Sequence, residues 1–288
     1  MSGPLIINHG SPKWWLSPDI WVALPAAPST PVANPIAGTT YDVYVRVYNN
    51  YPLPVTDWNL FVCWAIPTVG PIPLPPAAQL LNGAPFGSPI SVPAGYSGFF
   101  QVFKTSTNWT PSFENGGHEC LVAVTYFQGV GFPSTALNGD APPTGDYSIA
   151  QHNLGVLNMG SKKAPPRFHY AFQAANGSDK EQGFVIEARL GLLSDIAAFL
   201  PDEAHRRKVL EKPGKVEHLA IVASAEPHPA ELENSILTRS EVKIAPRSCH
   251  PLTLSGSLQS GNVLIHVTQS VGDRVVGGLS VLVTADGE

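Results

Sequence analysis

From Tyr41 to Asn50 the chain reads YDVYVRVYNN, with Val43, Val45 and Val47 alternating against Tyr44, Arg46 and Tyr48. A period of two places the valines on one face of a strand and the larger side chains on the other. Residues 58–65, WNLFVCWA, are apolar on both faces, as a central strand requires, and they follow the turn-forming YPLPVTD. SPISVPAG and YSGFFQVFKTS predict two more short strands, HECLVAVTYF a core strand and YSIAQHNLGVLNM a closing one. No amphipathic helical stretch lies between Asp19 and Met159, so no crossover helix is available for a parallel sheet. The pattern predicts an antiparallel β-sandwich of about seven strands. PTVGPIPLPPAAQ, too rich in proline for ladder hydrogen bonding, is expected as a surface loop.

The second half repeats the plan. RFHYAFQAANGS sets Phe168, Tyr170 and Phe172 on one face, Asn176-Gly177 offers a turn, and GFVIEARLG returns. LSDIAAFLPDEAHRRKVLEKPG breaks the rhythm. Pro201 suits a first helical turn, Asp202 and Glu203 suit its positive end, and Arg206, Arg207 and Lys208 suit its negative end. A short helical insertion is therefore expected near 194–212, stopped by Pro213-Gly214. VEHLAIVASA, SEVKIAP, HPLTLSGSL, NVLIHVTQSV and GGLSVLVTA then predict a second sandwich.

Composition sharpens the division. Residues 1–160 hold three basic and seven acidic side chains and 21 of the 29 prolines, whereas residues 161–288 hold fourteen basic and fifteen acidic ones. Two domains, 1–160 and 161–288, are expected to meet at SKKAPPRF, where Pro165 and Pro166 force extended backbone. With 288 residues, 43% apolar and 14% charged, the chain can build a core in each. A net charge of −5 without a basic cluster argues against nucleic acid as a partner. No run of about 18 apolar residues predicts a membrane span, and MSGPLIINHGSPKWW lacks the basic start of a Sec signal peptide. The compartment stays open.

Five blocks occur in one order: SPDIWV, YDVYVRVYNN, WNLFVCWA, GHECLVAV and IAQHNLGV. Over residues 11–158 this order resembles the bacterial immunoglobulin-like domains of the CARDB, or cell-adhesion-related, type. The second half is similar to immunoglobulin-like domains only in general plan. The resemblance implies an all-β chain of two tandem antiparallel immunoglobulin-like sandwiches and a binding or spacer role, and it brings no catalytic residues. In immunoglobulin domains a disulfide clasps the two sheets. Cys63 and Cys120 would be neighbours in such an order, either as that bridge or as buried free thiols.

Chemistry is sparse. His9, His118, His152, His169, His205, His218, His228, His250 and His266 never fall in HxH, HExxH or HxxxH spacing, and no metal or cofactor is expected. There is no GxSxG elbow for a nucleophile. Asn138, Asp140 and Asp146 could supply oxygens to calcium, but they are also ordinary turn residues. The aromatics say more. Trp14 and Trp15 in an apolar amino-terminal arm, and Trp109 and Phe113 in a Pro/Ser/Asn loop, are candidate anchors for a protein interface or for sugar stacking, or else they seal the first sandwich. Residues 1–16 are too apolar to float free and are expected to dock; docking on a neighbouring subunit would yield an oligomer or a filament. The functional expectation is a non-enzymatic structural or interaction protein that assembles with itself or on a larger protein assembly. The alternative is a carbohydrate-binding adhesion module that offers Trp109, Trp58 or Trp64 to a glycan.

Overall fold

The computed structural model describes residues 5–7, 13, 15–32, 35–70, 80–82, 88–93, 99–112, 119–129, 149–158, 167–200, 203–222 and 237–285. The chain is mostly β, in several sheets, and divides into two compact units. Met1–Ala65 with Ile72–Asn153 makes the first, and Ile66–Pro71 with Leu154–Glu288 the second.

In unit 1 the strands are β1 (Leu5–Ile6), β2 (Ile20–Ala23), β3 (Asp42–Asn49), β4 (Val55–Ala65), β5 (Ser88–Val92), β6 (Phe100–Lys104), β7 (Cys120–Phe127) and β8 (Ile149–His152). β1 and β2 share one edge of β3 and β6 takes the other, while β5, β4, β7 and β8 form a second antiparallel sheet. Val43, Val45 and Val47 are fully buried, and they share one core with Leu60 and Val62 of β4 and Leu121 of β7. The other face of β4 is buried too, with Phe61, Cys63 and Ala65 packed against Cys120, Val122 and Val124. Both faces of WNLFVCWA are thus used, as its pattern requires.

Unit 2 holds β9 (Leu154–Asn158), β10 (Arg167–Asn176), β11 (Gln182–Gly191), β12 (Val216–Val222), β13 (Leu237–Ile244), β14 (Ser248–Leu258), β15 (Asn262–Val271) and β16 (Arg274–Thr284). One sheet runs β10-β14-β12 and the other β13-β11-β15-β16-β9, around a core that includes Phe168, Tyr170, Phe172, Ile186, Ile265 and Val281. The helical insertion is a 3-10 helix, Leu193–Phe199, followed by α1 (Glu203–Leu210). Asn262 caps it, its side-chain amide donating to the carbonyls of Lys208 and Val209 at 3.2 and 3.1 Å.

Three features depart from the sequence reading. The expected closing strand is split: β8 ends unit 1 at His152, and after Asn153 the chain re-enters as β9 in unit 2. β9 runs parallel to β16, against the antiparallel plan expected. The third is the start of the proline-rich segment. Pro67–Gly70 is buried, with Val69 N–H donating to Gln173 O and Gln173 N–H donating to Pro67 O, both at 2.9 Å. Val69 is not a proline, so this stretch keeps the donor for a parallel bridge to Gln173 of β10. A Cβ on Gly277 would run into the carbonyl of Val69, so β16 needs glycine where this segment crosses it.

One device recurs in both units. In each unit a strand that precedes a crossing from one sheet to the other ends in a buried asparagine, Asn49 in β3 and Asn176 in β10. Asn49 Oδ1 accepts the N–H of Tyr51 at 2.8 Å, and its Nδ2 donates to the carbonyls of Leu53, Val92 and Pro93 at 2.9, 3.3 and 2.8 Å. Asn176 does the same with the N–H of Ser178 at 3.0 Å and the carbonyls of Lys180, Ile244 and Ala245 at 2.7, 2.9 and 3.2 Å. Each amide pins its own turn and the end of a strand in the facing sheet. Asn49→Ala and Asn176→Ala leave the buried Val92 and Ile244 carbonyls without these donors and are expected to cost roughly 1–3 kcal/mol each in denaturant unfolding. Asn49→Asp, which sets a carboxylate against carbonyl oxygens, is expected to cost at least as much.

Candidate interaction face

The sequence-selected tryptophans turn inward. Trp109 is 2% exposed, its ring packs against Tyr41, and its Nε1–H donates to Glu119 Oε2 at 2.8 Å. Trp15 is 4% exposed. Neither ring is open to a partner or a sugar, because each contributes to closing unit 1. Trp58 and Trp64 are half-buried and pack against the same core. Trp14, Phe113, Asn138, Asp140 and Asp146 lie outside the described residues. The arm does not reach outward in its described part: β1 pairs with β3 of its own unit, and Leu5 and Ile7 are fully buried. Apolar side chains at both ends of so short a stretch dock on the nearest open strand edge.

The aromatic surface lies elsewhere, on the outer face of the β2-β3-β6 sheet. With the valines of β3 facing in, Tyr44, Arg46 and Tyr48 face out. Trp21 stacks on Tyr44 with ring centroids 5.6 Å apart and planes 12° from parallel. The Arg46 guanidinium lies between Trp21 and Phe100, with Cζ at 5.4 and 4.8 Å from the ring centroids, and Tyr48 meets Phe100 edge-on at 5.7 Å. Asp19 holds Arg46 at 3.2 Å, and Asp42 holds Lys104 at 2.9 Å. The Lys104 ammonium is held above its ordinary range by the hydrogen bond to Asp42. Burial first, and Asp42 second, push the Tyr44 hydroxyl up. Both cations on the face are thus neutralised. Phe100 and Val102 are exposed by 46% and 40% and form an apolar patch on this face. Sequence inspection missed it because FFQVF reads as an ordinary short strand until the pairing shows which residues face out.

A second arrangement, in unit 2, was equally invisible. His266 Nδ1 meets Ser280 Oγ at 2.7 Å and His266 Nε2 meets Asp195 Oδ2 at 3.0 Å. His266 and Ser280 are opposite partners on β15 and β16, whereas Asp195 arrives from the 3-10 helix. The row has the composition of a hydrolytic triad, but Ser280 is fully buried and the carboxylate is its more exposed end. A nucleophile must reach its substrate. What the row does is fasten the insertion to the sheet, and Gly191 leaves the space that the imidazole fills.

Among the described residues no group of three or more His, Cys, Asp or Glu is placed to hold a metal ion, and no helix is long and apolar enough to cross a membrane. Cys63 and Cys120 are buried and not joined in a disulfide, and they lie on adjacent strands of one sheet. Cys63 faces Val122 and Cys120 faces Ala65, so the two cysteines are diagonal neighbours. Such pairs sit about 7–8 Å apart, beyond disulfide reach.

No family model matches the chain, and no curated protein matches it. Among solved structures it is similar to the red sea bream transglutaminase, at 13% identity and a TM-score of 0.23, covering 98% of this chain and 32% of that one. The chain thus spans about a third of that enzyme's length. It is also similar to the CupB6 tip adhesin from Pseudomonas aeruginosa, at 10% identity and a TM-score of 0.24, covering 88% of this chain and 92% of that one.

Two measurements test the site chemistry. Burial raises the Cys63 thiol far above its ordinary range, so in native protein a thiol reagent is expected to label exposed Cys249 first. Cys63 and Cys120 should react only on unfolding. Burial lowers His152 to about 4 from 6.5, against a smaller opposing effect of its bond to Ser17 O. Above pH 6.5 the ring is neutral folded or unfolded and contributes nothing; below it only the unfolded chain takes the proton. Stability is therefore expected to fall by up to about 1.4 kcal/mol per pH unit between 6.5 and about 4. His152→Gln should remove that slope from acid unfolding curves.

Proposed function

We propose that the chain is a non-enzymatic interaction protein built of two immunoglobulin-like sandwiches, the first of CARDB-like kind, and that the outer β2-β3-β6 face makes its contacts with protein. The observation that carries this reading is Arg46 clasped between Trp21 and Phe100 beside exposed Val102. Aromatic residues and arginine are the residue types that dominate the energetic centres of protein interfaces. An exposed patch of this density on an outer sheet face is uncommon without a partner.

Strand order supports the sandwich reading. β2, β3 and β6 against β4, β7 and β8 matches the immunoglobulin division of A, B and E from C, F and G, with β5 beside β4 in the place of C′. In unit 2, β10, β14 and β12 stand as B, E and D, although β12 precedes the C′-like β13 along the chain. The complete burial of Ser280 supports a non-enzymatic role. The geometry favours protein over glycan, since a sugar needs an open ring face. Here Tyr44 and Arg46 cover Trp21, and Arg46 and Tyr48 cover Phe100.

Phe100→Asp removes a partly exposed ring with its contacts to Arg46 and Tyr48 and is expected to leave the fold intact at a cost of about 1–2 kcal/mol. It should weaken association, with a second copy or with a protein partner, at least about tenfold in light-scattering or binding titrations. Unaltered association would remove this face from the function, and sugar binding lost in Trp58→Ala or Trp64→Ala would transfer the role to a glycan.

A further inference from the structure

Resting on that reading, we infer that the partner of this face is a second copy of the chain, joined by antiparallel pairing of β6 with the second copy's β6. Among the described residues β6 has β3 as its ladder partner, and every residue from Phe100 to Lys104 keeps some exposure. Thr105 N–H donates to Val43 O at 2.9 Å and Asn49 N–H to Phe99 O at 3.3 Å. In an antiparallel ladder the hydrogen-bonded residues alternate, so Phe99, Gln101, Phe103 and Thr105 turn their backbone groups toward β3. Phe100, Val102 and Lys104 therefore present N–H and C=O to the open edge. These are also the residues whose side chains stand on the aromatic face.

Unit 2 shows how such an edge is completed. The recurring asparagine aligns β3 with β10 and β4 with β11, and its carbonyl acceptors align the end of β5 with that of β13. β6 is then the counterpart of β14, each being the next strand, paired with β3 or β10. On its far edge β14 carries an antiparallel strand, β12, with Leu219 opposite Gly256 and Ile221 opposite Leu254. An antiparallel strand is what the β6 edge is shaped to accept.

The edge is complementary to itself. A two-fold axis through Val102 sets Val102 against the second copy's Val102 and Phe100 against the second copy's Lys104, each pair exchanging two backbone hydrogen bonds. Lys104, already neutralised by Asp42, lies beside an aromatic ring and meets no like charge. The two aromatic rows join into one surface across the axis. FFQVF, uncharged, free of proline and rich in β-formers, is a sequence that pairs readily when its edge is open.

The test uses the full chain in sedimentation and light scattering, with amide hydrogen exchange on dimeric and diluted samples. The expected result is a concentration-dependent dimer in which the Phe100, Val102 and Lys104 amides exchange at least about tenfold more slowly than in dilute protein. Gln101 and Phe103, bonded to β3 in either state, should not change. Val102→Pro removes an edge-facing N–H without breaking the β3 ladder and is expected to give a folded monomer, as is Val102→Lys. A wild-type monomer up to about 1 mM, or a dimer whose edge amides gain no protection, overturns the inference. If the protein is monomeric and a protein partner is nonetheless lost in Phe100→Asp, the interaction reading survives without self-pairing. If dimer and partner are both indifferent to Phe100, that reading fails as well.

Discussion

Each unit depends on one buried side-chain amide. The turns after β3 and β10 carry the chain from one sheet to the other, and beside them the carbonyls of Val92 and Ile244 are buried and need donors. An unpaired buried carbonyl costs about as much as a whole native hydrogen bond contributes, or more. Asn49 and Asn176 meet that demand in the same way: the amide oxygen takes the turn's N–H, and the amide nitrogen is shared among carbonyls of the turn and of the facing sheet. No other side chain of that length has both a donor pair and an acceptor. Aspartate lacks the donors, and serine lacks the reach.

The register of β3 follows from that anchor, and with it the identity of the outer face. In a strand a slip of one residue exchanges the two faces. With Asn49 held at the end of β3, the valines point into the core, and Tyr44, Arg46 and Tyr48 cannot avoid pointing outward. Stacking then makes the arrangement tolerable in water. Arg46 covers ring surface on Trp21 and Phe100 with a flat, weakly hydrated cation, each contact contributing on the order of 0.5–1 kcal/mol at an exposed site. Asp19 then keeps the row from carrying net charge.

Much of this was legible in the sequence where a pattern repeats over several residues. The alternation of Val43, Val45 and Val47, the two-faced WNLFVCWA and the aromatic alternation from Phe168 to Phe172 each describe a strand and its buried side. The Pro and charge order around residue 201 marked the insertion. What was not legible depends on pairing between distant segments. Trp109 looked like a loop anchor because nothing local shows that Glu119 will accept its indole N–H. Pro67–Gly70 looked like pure loop because proline count hides one donor, Val69 N–H, and one acceptor, Pro67 O, that matter only when Gln173 lies alongside. Asp195 and His266 are brought together by the packing of the insertion, which no spacing rule encodes. The parallel β9 belongs to the same class, since strand direction is set by where the chain enters a sheet.

The edges of the two units are treated in opposite ways, which bears on why β6 is unusual. Proteins protect exposed strand edges with charge, because a row of unpaired N–H and C=O groups invites any extended chain. β13, at the edge of the five-stranded sheet, obeys that rule: Arg239, Glu241 and Lys243 are its exposed positions, and Arg239 and Glu241 pair with each other at 3.4 Å. Hydrating these charges opposes the approach of another strand. At the exposed positions of β6 stand Phe100 and Val102, with charge only at Lys104, and that charge is already engaged by Asp42. A chain that uses alternating charge at one edge and aromatic and aliphatic side chains at the other treats the two edges as different tasks. Pairing with another strand would take the apolar surface of Phe100 and Val102 out of water, whereas pairing at β13 would have to strip hydration from its charges.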